Sequence, residues 1–132
     1  MLSTYEEYCS MPLSLTLEEM AALHGQMAEE ITGADAMDLY GDLLTAAVRY
    51  AHIRGQWPLW DREKKMEEDT ARTSCHNRVI DSFNILARYL KKQGKPALWR
   101  DALGDVEKDP SYRKRIGDFA CYLVFVESLC AR

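Results

Sequence analysis

No apolar stretch in this 132-residue chain approaches the roughly 20 residues that a membrane-spanning helix requires. The run Cys121-Tyr-Leu-Val-Phe-Val126 stays far short of it. No basic segment followed by an apolar one trails Met1, so a secretory signal is not expected. Cysteine is sparse: Cys9, Cys75, Cys121 and Cys130 form no C-x-x-C pair, which argues against a disulfide scaffold or zinc knuckle and for free thiols in a reducing cytoplasm. Period-2 alternation is missing, and with it the signature of a half-buried strand. There is no Gly-rich phosphate loop, no G-x-S-x-G elbow and no paired-carboxylate motif. No cofactor is signalled, and the balance of evidence is against an enzyme. Ser74-Cys75-His76 is no exception, because neighbours on a helix diverge by about 100° and do not face each other.

The apolar residues that are present recur at helical spacing, and the few glycines and prolines fall between the periodic segments. The reading is an all-α bundle of about four main helices plus a short one. It forms a single domain over 1–132, with residues 1–15 as an N-terminal arm bearing Tyr5, Tyr8 and Met11, and 16–132 as the bundle. Thr16 and Glu19 fit a capping box that opens a helix stopped by Thr32-Gly33. A second helix, about Asp35 to Arg54, is apolar over most of its circumference and is expected at the centre. Asp61 caps a long third helix reaching Lys92, with a kink or break expected near Asp69–Thr73. A short helix over Pro96–Leu103 follows, and Asp109-Pro110 caps the last one. Cys121–Val126 is apolar on all sides, so the last helix is expected either at the centre or in a homodimer interface.

Charge is uneven. Residues 1–70 carry a balance of −9 and residues 71–132 a balance of +5, within a net charge of −4. The simplest expectation is solvated helix faces. The sharper one is a nucleic-acid-contacting surface over Arg88, Lys91, Lys92, Lys95, Arg100, Arg113, Lys114 and Arg115. No interleaved aromatic platform accompanies it, and the net acidity disfavours phosphate binding.

The chemistry-bearing candidates lie on helix faces. Asp69, Arg72 and His76 share one face of the third helix and extend the stripe of Val79, Phe83, Leu86, Ala87 and Leu90 toward the N-terminus. With Asn84, and with Glu127 of the last helix, they form a candidate polar cluster. Arg72 can pair with Asp69 on its own helix or with Glu127 across the core, and the expected role is a structural lock between buried faces. An alternative is an inter-helix pocket with Arg72 as anion binder and His76 as acid or base, in a small enzyme or ligand-binding domain. His24, His52 and His76 come from three helices and are the weak candidates for a metal site, but H-x-x-x-H and E-x-x-H spacings are missing, so no metal is expected.

Several stretches, Arg49-Tyr-Ala-His-Ile-Arg-Gly-Gln-Trp57, Asp69-Thr-Ala-Arg-Thr-Ser-Cys-His76, Ile80-Asp-Ser-Phe-Asn-Ile-Leu-Ala-Arg-Tyr-Leu90 and Arg113-Lys-Arg-Ile-Gly-Asp-Phe-Ala-Cys-Tyr122, resemble a family of small all-helical bacterial proteins of unknown function from gut Firmicutes and their relatives, some associated with mobile elements. The resemblance spans roughly residues 40–130. It implies a compact helical protein and brings no catalytic residues with it. The resulting expectation is a cytoplasmic, non-enzymatic protein–protein interaction or regulatory module that works as a homodimer.

Overall fold

The computed structural model describes residues 13–104 and 111–130. The arm residues Tyr5, Tyr8, Cys9 and Met11 and the Asp109-Pro110 cap lie outside the described residues. Within them the chain is all-α: α1 (Leu17–Glu30), α2 (Ala34–Gln56), α3 (Arg62–Lys92), α4 (Leu98–Leu103) and α5 (Tyr112–Cys130), with a 3-10 turn at Trp57–Leu59 between α2 and α3. Four of these helices are long and one is short, as the apolar spacing predicts.

Local chemistry sets the boundaries. The Glu19 N–H donates to Thr16 Oγ1 and the Thr16 N–H to Glu19 Oε1, each at 3.0 Å, so two amides that α1 cannot satisfy internally are satisfied reciprocally. Asp61 accepts the Lys64 N–H at 2.8 Å and opens α3. The expected break near Asp69–Thr73 is not made: α3 runs through it as one 31-residue helix, about 46 Å long at 1.5 Å per residue. With 23 residues, α2 is about 12 Å shorter. The charged first turns of α3 therefore project past the packed body, and Arg62 to Lys64 are exposed there.

The core is centred on Phe83 of α3, whose ring stacks on Phe119 of α5 at 5.8 Å and lies 6.2 Å from Trp99 of α4. Every residue from Ile116 to Val124 is buried, so α5 occupies the centre. The expectation for α2 needs correction. It buries one face (Ala36, Leu43, Ala46, Ala47, Ala51) and leaves Met37 and Val48 57% and 44% exposed. Periodicity measures how apolar a helix is, but not how many neighbours reach it.

A carboxylate ties α1 to the chain leading into α4. Glu30 Oε2 accepts the Ala97 N–H at 3.0 Å and Glu30 Oε1 accepts the Trp99 indole N–H at 2.8 Å. Both donors belong to fully buried residues, and Ala97 is held in the left-handed region at φ 48°. Hydrogen bonds to a charged group contribute about 1.5–3 kcal/mol, and a buried donor left unpaired loses its hydration as well. Glu30→Ala is expected to cost about 2–4 kcal/mol by this reasoning, seen as a fall in the urea midpoint. A change below about 0.5 kcal/mol, the level of an ordinary surface substitution, would show that the clamp is not needed.

Candidate functional site

Asp118 is the one charged residue among the described residues that is fully buried. It sits in the apolar stretch of α5 between Gly117 and Phe119. A lone carboxylate there would cost several kcal/mol of lost hydration, and the fold surrounds it with donors. Arg54, near the end of α2, forms a close ion pair with Oδ1. Ser14 gives Oδ2 both its backbone N–H, at 2.8 Å, and its hydroxyl, at 2.6 Å. Lys114, one turn earlier on α5, reaches Oδ2 at 3.1 Å. Burial opposes ionisation, but the two Ser14 bonds and Arg54 outweigh it, and the Asp118 carboxyl titrates below its ordinary range. Burial likewise opposes the Arg54 charge, and the ion pair and hydrogen bond with Asp118 hold the guanidinium protonated.

Beside this pair opens a cleft of about 440 Å³, lined by Tyr50, Arg54, Trp57, Pro58, Arg72, His76, Lys114 and Asp118. Its inner wall is the Tyr50 ring stacked on the His76 imidazole, with centroids 4.9 Å apart and planes 25° from parallel. Tyr50 can lie there because residue 117 is glycine: a Cβ at that position would stand 2.7 Å from the Tyr50 hydroxyl oxygen. His76 Nε2 is 2.8 Å from the Arg113 carbonyl, which can only accept, so Nε2 carries the hydrogen. Burial, first of all, and then the charges of Arg113, Arg54 and Arg72 push the His76 pKa down, against the Arg113 carbonyl bond; the ring is neutral at pH 7. At the mouth the Arg72 guanidinium carbon lies 4.3 Å from the centre of the Trp57 ring.

The cluster expected from sequence is brought together only in part. Arg72 and His76 share the cleft. Asp69 is exposed, and the Asp69–Arg72 pair is not formed among the described residues. Asn84 lies elsewhere and accepts from Arg100 Nε at 2.7 Å. Glu127 accepts the Tyr40 hydroxyl at 2.7 Å and sits 3.6 Å from His24, so the expected Arg72–Glu127 lock is absent. Arg72 itself is exposed, with its guanidinium over the Trp57 ring. The polar lock of the core is Arg54–Asp118, which the sequence reading missed. Its one available signal was an aspartate inside the apolar face of a helix predicted to be central.

The histidines do not converge. His24 borders a separate cavity of about 200 Å³ with Tyr40 and Glu127, His52 is exposed on α2, and His76 is held by Tyr50 and Arg113. Among the described residues no group of three or more His, Cys, Asp or Glu side chains is placed to hold a metal ion. Cations of the basic half are largely engaged within the chain: Lys91 with Asp101, Arg100 with Asn84 and the Gly104 carbonyl, Arg113 with Asn77, Lys114 with Asp118, and Arg115 with Ser111 and the Leu103 carbonyl. A further groove of about 660 Å³ between α2 and α3 is lined by charges of both signs, Asp42 and Asp81 with Arg49 and Arg78. No helix among the described residues is long and apolar enough to cross a membrane.

Arg72→Ala should leave the fold intact and cost no more than about 1 kcal/mol, the usual value of an exposed cation–π contact. Loss of cooperative unfolding in that variant would restore the lock reading. The depressed His76 pKa also has a sign. Below about pH 6.5, where imidazole ordinarily titrates, the unfolded chain takes up a proton that the native ring resists, so this contribution is full above neutrality and shrinks as pH falls. The difference in unfolding free energy between wild type and His76→Phe should therefore shift against wild type from pH 8 to pH 5. A difference independent of pH contradicts it. Comparison with protein-family models, curated proteins and solved structures finds no match.

Proposed function

We propose that this chain is a ligand-binding helical domain whose α2–α3–α5 cleft captures a small organic anion, without chemical transformation. The observation that carries the reading is the state of Arg72. Its guanidinium carbon sits 4.3 Å from the centre of the Trp57 ring in the lining of a preformed cleft and, among the described residues, has no carboxylate partner. A guanidinium held over an aromatic ring can still offer N–H donors to a carboxylate or phosphate. Three cationic side chains against one carboxylate line the cleft, leaving it positive while His76 is neutral. Its volume of about 440 Å³ falls within the roughly 300–1,000 Å³ typical of small-molecule sites.

This reading takes the place of self-association as the first choice. The apolar stretch of α5 that motivates a homodimer is buried inside the protomer from Cys121 to Val124, and the remaining exposed apolar residues of α2, Met37 and Val48, are a smaller surface. A cytoplasmic location belongs to the same proposal and is supported by the free thiols of Cys75 and Cys121. A bacterial origin rests on the resemblance alone.

Thermal unfolding at low salt with citrate, glucose 6-phosphate and phenyl phosphate tests the proposal, since a ligand that binds only the native state raises Tm. At least one of these anions is expected to raise Tm in wild type, with the rise lost in Arg72→Ala. No rise with any of them, or an equal rise in the variant, contradicts it.

A further inference from the structure

We infer that the chain carries a second, separate site for a short-chain alkylammonium ion, a protonated primary amine on a tail of about four carbons. The site is the cavity of about 200 Å³ bounded by α1, the start of α2 and the end of α5. Its walls are apolar: Met27 and Ala28 of α1, Ile31 directly after it, and Met37 of α2. Glu127 of α5 is the one carboxylate in the lining, with Tyr40 and His24 beside it, and no lysine or arginine of the described residues joins them. This cavity shares no residue with the cleft at Arg72, and its occupancy is independent of the anion-binding reading.

Among the described residues, Glu127 has no partner that is permanently cationic. Its Oε1 accepts the Tyr40 hydroxyl, a neutral donor, at 2.7 Å. His24 Nε2 stands 3.6 Å from the same oxygen, beyond ordinary hydrogen-bond distance, and adds positive charge only when protonated. Oε2 has no hydrogen-bond or ionic partner among the described residues. With 39% of the side chain exposed, the charge is only partly hydrated, against aliphatic and thioether walls. An ammonium group supplies a charge-assisted N–H bond to Oε2 and keeps its other donors for water. Other classes fit worse. An anion is repelled by Glu127, and a neutral molecule leaves its charge uncompensated. A bare calcium or magnesium ion takes about six oxygen ligands or more, and one carboxylate with one phenol falls far short.

Size sets the tail. A volume of about 200 Å³ corresponds to roughly seven waters at about 30 Å³ each, room for an ammonium and about four carbons. Met27 is fully buried and gives the tail a fixed floor, whereas Met37 is 57% exposed and its unbranched thioether can close over it. Tyr40 holds the Glu127 carboxylate in place before a ligand arrives, which lowers the ordering cost of binding. The tail then lies along the two methionines while the ammonium stays at Glu127.

Calorimetric titration of n-butylammonium, ethylammonium, 1-butanol and butyrate into the full chain at low salt tests the site, with Glu127→Gln as the variant. n-Butylammonium is expected to saturate and to bind about tenfold more tightly than ethylammonium, since each further buried methylene strengthens binding roughly fourfold. 1-Butanol and butyrate should bind about tenfold more weakly or worse, and the Met27 and Met37 methyl resonances should move with n-butylammonium. Glu127→Gln keeps an oxygen for the Tyr40 hydroxyl and should weaken n-butylammonium binding by about tenfold or more. No saturable binding of n-butylammonium, or equal binding of 1-butanol, overturns the proposal, as does unchanged affinity in a folded Glu127→Gln. If that variant does not fold, the comparison of probes on wild type decides alone. None of these outcomes alters the reading of the Arg72 cleft.

Discussion

A buried carboxylate governs this structure. Asp118 lies in a stretch of α5, Ile116 to Val124, in which every residue is buried and an ion without partners is prohibitively costly, so whatever surrounds it must arrive with hydrogen-bond donors in place. Those donors come from three separate parts of the chain: Ser14 just before α1, Arg54 at the end of α2 and Lys114 within α5. A hydrophobic core tolerates small slippages of one helix on another. A carboxylate with assigned partners on each oxygen tolerates far less, and the ends of α2 and α5 are held in one register by it.

The cleft follows from that register. With Arg54 drawn to Asp118, the side chain one turn earlier on α2, Tyr50, is laid over Gly117, and the space it occupies is one that any larger residue at 117 would deny. His76 then closes against the exposed face of Tyr50 and is fixed from behind by the Arg113 carbonyl. The 3-10 turn after α2 carries Trp57 across to α3, where it meets Arg72. The same local geometry thus sets Tyr50 against His76 and Arg72 over Trp57, with no carboxylate paired to Arg72 among the described residues. On the proposed reading, Asp118 and Arg54 stabilise the fold, and Arg72, the exposed one of the three, meets the ligand.

Helix positions were legible because their signals are local. Thr16 with Glu19, Asp61, and the glycines and prolines between periodic segments act on backbone amides within a few residues, so the chain states them directly. Arg72 was misplaced for a reason that periodicity does not contain. The apolar stripe of α3 continues through it, yet the side chain is exposed in the lining of the cleft and meets Trp57, the residue that follows α2. The partner of Glu127 was likewise a tertiary matter: it shares a face with core residues yet meets Tyr40 and His24, not Arg72. Asp118 could have been flagged as an acid within an apolar helix, whereas its partner Arg54 reads from sequence as one more basic residue near a helix end.

The central claim is that Arg54 and Asp118 act as a unit that organises the core and the cleft. A double-mutant cycle on unfolding free energy, with Arg54→Gln, Asp118→Asn and the two combined, tests it most directly. The account predicts strong coupling, about 2 kcal/mol or more and toward the upper end of what contacting residues show, with the double variant little worse than either single one. Additive losses, with coupling below about 0.5 kcal/mol, would contradict it and would make the pair an incidental contact in a core held by apolar packing alone.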